Sequence, residues 1–101
     1  MNSNKENFLS TLENIIIERK NSADSKSYTA TLFAKGLDKI LQKVGEESVE
    51  YIIAAKNDND SLAIGEAADL LYHFIVSLHA RNLTLDMINE ELIQRHNSKI
   101  K

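Results

Sequence analysis

Apolar positions recur every three or four residues along the chain, and the recurrence breaks only at short polar runs. The first run predicts a helix from about residue 4 to residue 20, with Phe8, Leu12, Ile15 and Ile16 on one face. "NSADSKS" then reads as a loop, because Ser, Asp and Asn side chains compete with the backbone for local hydrogen bonds. Thr29 is the expected N-cap of a short helix over "ATLFAK". A long helix follows from about residue 37 to residue 56, with Leu37, Ile40, Leu41, Val44, Tyr51, Ile52 and Ala55 near one face at ~100° per residue. Val49 and Ile53 fall towards its other side, and a helix apolar on two faces has two partners to satisfy, which points to a second subunit. "NDND" breaks this helix, and Asp60 or Ser61 is placed to cap a fourth that runs to about residue 80. After "RNLT", Thr84 caps a last helix of roughly 12 to 14 residues. Five helices, short loops and no strand pattern predict an all-α bundle.

Composition supports that reading: proline is absent, only three glycines occur, and Leu, Ile, Ala, Glu and Lys dominate. A length of 101 residues corresponds to one domain, residues 1–101, with a modest core that dimerisation would enlarge. Twelve Lys and Arg against fifteen Asp and Glu give a net charge of −3, which argues against nucleic acid or an anionic membrane as the main partner. There is no cysteine, so disulfides, thiol nucleophiles and thiolate metal sites are excluded. The N-terminal segment has an early acid and no long apolar region, unlike a signal peptide, and no stretch reads as a membrane span. A soluble cytoplasmic protein is the expectation.

The acids change the picture. In "KVGEESVEYIIAA", Glu46, Glu47 and Glu50 crowd one turn of the third helix; Glu47 and Glu50 share a stripe with Lys43, Lys39 lies beside it, and Glu46 lies further round. In "GEAADLLYHFIV", Glu66 and Asp69 repeat the i, i+3 spacing, with His73 one turn on. The rest of that helix is apolar nearly all round, as a buried helix is, and no Lys or Arg occurs between residues 57 and 80 to pair with the two acids. If the third and fourth helices pack antiparallel, four carboxylates converge and repel unless a cation neutralises them. An all-oxygen set selects a hard cation, Mg²⁺ or Mn²⁺, and Mg²⁺ commonly shares its shell with substrate phosphates. Phosphoanhydride chemistry is the natural inference. Read singly, the same residues have plainer roles: a Glu-rich helix face in water, a core histidine at His73, surface i, i+4 pairs for Lys39 and Lys43, and a helix start at Tyr28 and Thr29.

Together, "SYTATLFAKG", "QKVGEESVE" and "EAADLLYHFIV" resemble the phosphoribosyl-ATP pyrophosphohydrolase family, within the all-α nucleoside triphosphate pyrophosphohydrolases, over residues 8–96. The resemblance implies Mg²⁺-dependent hydrolysis of phosphoribosyl-ATP to phosphoribosyl-AMP and pyrophosphate, the second step of histidine biosynthesis, by a homodimer. It implies metal ligation by Glu47, Glu50, Glu66 and Asp69, a ligand or water-orienting role for Glu46, catalytic roles for Glu46, Glu47 and Glu50, and substrate contacts from Lys35, Lys39, Lys43, Tyr28, Thr29 and His73. The cysteine-dependent cyclohydrolase to which such enzymes are often fused is not expected in this chain. Two other readings compete: a house-cleaning pyrophosphohydrolase for free nucleotides, and a non-enzymatic helical dimerisation module.

Overall fold

The computed structural model describes residues 8–24 and 26–98, and the expected helix start near residue 4 lies outside them. Its elements are α1 (Phe8–Lys20), α2 (Tyr28–Lys35), α3 (Leu37–Lys56), α4 (Asp60–Ala80) and α5 (Leu85–Ser98). The polar loop after α1 is built as its composition requires: Ser22 Oγ accepts from Asp24 N–H at 3.0 Å, and Asp24 Oδ1 accepts from Lys26 N–H at 2.9 Å. The N-cap of α2 is Ser27, not Thr29. Ser27 has an extended backbone and its hydroxyl accepts from Ala30 N–H at 3.1 Å, whereas Thr29 is already inside the helix with its hydroxyl on Tyr72. The α4 cap is likewise one residue earlier than Asp60, because the Asn59 side chain reaches Leu62 N–H at 3.0 Å. Thr84 does cap the last helix, accepting from Met87 N–H at 3.2 Å.

A single residue, Gly36, joins α2 to α3. At φ 99° and ψ 172° it occupies a region open essentially only to glycine, and its N–H still reaches the carbonyls of Leu32 and Phe33. The next connection, residues 57–59, is also short and turns α3 back on α4, so the two form a long antiparallel hairpin that is the most extensive helix pair. Helices α1 and α2 lie against one end of it. There Ile16, Leu32, Ile40, Ile75 and Val76 are buried together, with Leu12, Phe33, Tyr72, Ala80 and Leu85 packed round them. Truncating a fully buried isoleucine such as Ile75 to alanine costs about 2–5 kcal/mol in sites of this kind.

The other end of the hairpin differs from expectation. Helix α4 is buried through its second half, but its first half exposes Leu62 and Ile64, the latter 70% accessible. On α3 only Ile40 and Ala54 are buried; Leu41, Ile52 and Ala55, expected on the inner face, are exposed, as is Phe8 on α1. Besides Ile40 and Ala54, the less exposed positions of α3 past its first turn are Lys43, Val44, Glu47 and Ser48, so the remaining apolar residues are left outside a single copy of the chain. By length and composition alone α4 would also span a membrane, contrary to the sequence reading, but its second half is the core of the bundle and its first half carries Glu66 and Asp69.

Candidate active site

The antiparallel hairpin brings the acids of both helices together. Glu47 on α3 and Glu66 and Asp69 on α4 each offer a carboxylate oxygen within 4.8 Å of the others. Burial pushes the Glu66 carboxyl above its usual range, and the charges of Glu50, Asp69 and Glu47 add to that push. Glu50 is therefore near enough to act on Glu66 without joining the tight group of three. Glu46 turns away: it is exposed, accepts from Gln42 Nε2 at 2.9 Å, and pairs with Lys43 at 3.4 Å.

Lys43 is the cation of the site. Its Nζ lies 3.7 Å from Glu47 Oε2, so it bridges Glu46 and Glu47 along α3. Burial works against its charge, but the hydrogen bond to Glu46 and the charges of Tyr28, Glu46 and Glu47 together hold its pKa above the usual lysine value. Lys39, one turn earlier, contributes at longer range to Glu46. Lys35 is exposed at the end of α2.

The remaining candidates form one cluster beside the acids. His73 is buried, and its Nδ1 lies 2.7 Å from the Asp69 carbonyl. A carbonyl only accepts, so Nδ1 carries the proton and Nε2 of the neutral ring is an acceptor. Tyr28 Oη, 3.0 Å from Nε2, donates to it. Thr29 is buried with its hydroxyl on Tyr72 Oη. Tyr72 is the member that the sequence reading treated only as apolar lining. Its ring lies beside Tyr28 with centroids 6.3 Å apart, and its hydroxyl gave no pattern of its own.

The set Glu47, Glu66 and Asp69 fits a hard divalent cation: it is all carboxylate oxygen, drawn from two helices, and burial together with the neighbouring acids pushes one of its carboxyls above the normal range. A divalent cation held there would supply the positive charge that a polyphosphate needs, since the carboxylates alone would repel it.

Residues 9–96 match the phosphoribosyl-ATP pyrophosphohydrolase family. The chain is 50% identical over 96 residues to the phosphoribosyl-ATP pyrophosphatase of Clostridium acetobutylicum, covering 95% of this chain and 86% of that one. It is 51% identical over 92 residues to the enzyme of the same name from Clostridium botulinum, covering 91% and 84%. It is also 50% identical over 101 residues to a histidine biosynthesis bifunctional protein of Buchnera aphidicola, where it takes in 99% of this chain but spans about half, 48%, of the relative. With the match extending over nearly all of its described helices, the chain belongs to the phosphoribosyl-ATP pyrophosphohydrolase family.

Proposed function

We propose that this chain, acting as a single domain, hydrolyses the α–β phosphoanhydride of phosphoribosyl-ATP to phosphoribosyl-AMP and pyrophosphate, the second step of histidine biosynthesis. The observation that carries the reading is the meeting of Glu47 with Glu66 and Asp69 across the α3–α4 hairpin, in a chain of this family. Glu47, Glu66 and Asp69 would hold Mg²⁺, with Glu50 adjacent. When bound, the ion supplies Lewis-acid polarisation of the phosphate oxygens and the charge that the three carboxylates lack. Glu50, outside the tight group, accepts the proton of the attacking water at its carboxylate. Lys43 leaves part of its pairing with Glu46 to meet the negative charge that grows on departing pyrophosphate. Glu46 keeps Lys43 within reach and stands back from the reacting atoms. The negative net charge suits a metal-bound small-molecule substrate in the cytoplasm rather than a nucleic acid or a membrane surface.

A homodimer belongs to the same reading. The apolar groove of about 450 Å³ lined by Val44, Tyr51, Leu70, Leu71 and Phe74, with Ile52, Ile53 and Ile64 exposed on the same hairpin, supports a second copy packed there. Ile64→Glu is expected to convert the dimer to monomer in sedimentation velocity; an unchanged dimer would move the interface elsewhere. For the activity, phosphoribosyl-ATP and the common nucleoside triphosphates are offered side by side with Mg²⁺, and pyrophosphate is measured. Release from phosphoribosyl-ATP is expected to dominate, and equal or greater release from ordinary triphosphates would replace the reading with nucleotide house-cleaning.

A further inference from the structure

Tyr28 is the half-exposed member of an otherwise buried cluster, with 53% of its surface accessible while His73 is 5% and Thr29 8% accessible. Its ring is held by two neighbouring rings and by its hydroxyl. Tyr72 runs beside it at an interplanar angle of 28°, and the His73 ring stands at 81° to both, with centroids 5.9 Å from Tyr28 and 4.9 Å from Tyr72. The far end of Tyr28 is tied through its hydroxyl to His73 Nε2, and Tyr72 is tied in turn to Thr29. Two aromatic rings therefore lie nearly parallel over a buried imidazole, with four polar atoms used up in holding them. A buried tyrosine hydroxyl needs a partner, as Tyr72 has in Thr29; what sets Tyr28 apart is that a ring so held keeps an exposed surface.

The position is as informative as the rigidity. His73 connects Tyr28 directly to Asp69, because its other nitrogen is bound to the Asp69 carbonyl. That bond ends on the main-chain carbonyl, one turn back along α4, so the platform stands one helical turn from the residue that brings its carboxylate to the acidic group, and Lys43, which pairs with Glu47 of that group, also feels Tyr28.

We propose that the exposed face of Tyr28 is the stacking platform for the purine base of the substrate, with Tyr72, His73 and Thr29 as the positioning residues that hold its plane. This rests on the hydrolase reading for the identity of the substrate, but not for the test. A base has a π-face whatever its edge substituents, so a stacked purine leaves its edge open to carry the additional phosphoribosyl group. Selection of nucleotide over bare polyphosphate arises at Tyr28, and selection of charge arises at the acids.

The test measures the binding of two probes in the presence of Mg²⁺ by calorimetry, α,β-methylene-ATP and inorganic tripolyphosphate, neither requiring turnover. Tyr28→Leu is expected to weaken α,β-methylene-ATP by roughly ten- to a hundredfold, the usual range for losing one base–aromatic stack, and to leave tripolyphosphate unchanged. Tyr28→Phe keeps the ring and retains the preference for the nucleotide probe. Equal weakening of both probes, an unaltered nucleotide affinity in Tyr28→Leu, or a Tyr28→Phe loss as large as that of Tyr28→Leu overturns the platform. A measurement on the unaltered protein needs no variant to fold: α,β-methylene-ATP must bind more tightly than tripolyphosphate, and equality overturns the proposal. Failure to release pyrophosphate from phosphoribosyl-ATP, with these binding differences intact, would instead overturn the hydrolase reading.

Discussion

Two acidic junctions in this chain meet opposite fates. At the end of the hairpin covered by α1 and α2, Glu13 on α1 accepts from His79 Nε2 at 2.7 Å and from Leu85 N–H at 2.9 Å, tying α1, α4 and the start of α5 with one carboxylate. Burial alone would raise its pKa, but the Leu85 and His79 hydrogen bonds and the His79 charge outweigh that and hold it below the usual glutamate range. Nearer the 57–59 turn Glu66 is also moved by burial, but its neighbours are Glu50, Asp69 and Glu47, and its pKa rises. A carboxylate with its donors in place is structural. One surrounded by its own kind has no such partner to fix it, and on the proposed reading a cation takes that place.

The contrast breaks most sharply when the cation is withdrawn. EDTA is expected to abolish pyrophosphate release and Mg²⁺ to restore it. Mg²⁺ at about a hundred times its Kd should also add about 2.7 kcal/mol to stability, seen as a rise in thermal midpoint. Activity surviving exhaustive chelation would remove the metal from the reading. Next in size, Asp69→Asn or Glu47→Gln should lower turnover by more than about a hundredfold, since even residues that only support metal ligands commonly cost ten- to a hundredfold. Helicity by circular dichroism should be unchanged, because the Lys43 contact that Glu47 loses is a loose i, i+4 pair at 3.7 Å within one helix.

At the other junction the signs reverse. Glu13→Ala strands the His79 and Leu85 donors and is expected to cost about 2 kcal/mol in denaturant unfolding while sparing turnover per folded molecule. The smallest effect is in pH. A carboxyl whose folded pKa lies below 4.5 contributes stability that is fully present above 4.5 and fades as pH falls through the folded value. Glu66, raised above 4.5, works the other way, favouring the metal-free fold at acid pH and losing that contribution as pH rises through its folded value. Glu13→Gln should therefore flatten the loss of stability below pH 4.5, and Glu66→Gln should remove a decline above it. Coincident acid unfolding curves for the two variants would erase the distinction.

The helices were plain in the chain because each repeats an apolar period between polar breaks, and the bounds of α3 follow the pattern from Leu37 to Lys56. The carboxylates were legible for a related reason: four acids at i, i+3 spacing on neighbouring helices, with no Lys or Arg on the second. Two kinds of feature were not. Adjacent polar residues such as Ser27 and Thr29, or Asn59 and Asp60, are all able to cap, and the choice depends on which one takes the extended backbone. Glu13 and His79 are 66 positions apart, and no local period marks a pair of that separation. The exposed first half of α4 shows a further limit, since an all-apolar helix announces burial but not whether its own chain provides the cover.

The one-residue joint at Gly36 has a mechanical consequence. Helix α2 has eight residues and so extends about 12 Å, with Tyr28 at its far end and the pivot at Gly36. Through an arm of that length, a swing of about 5° at the pivot carries the tip about 1 Å, and displacements of that size cost as much as a hundredfold where reacting groups are aligned. A methyl group at Gly36 would meet no atom within 4 Å, so Gly36→Ala alters the torsion and little else. The placement of the tyrosine thus depends on a backbone angle at the opposite end of its helix as well as on the Tyr72 and His73 rings beside it.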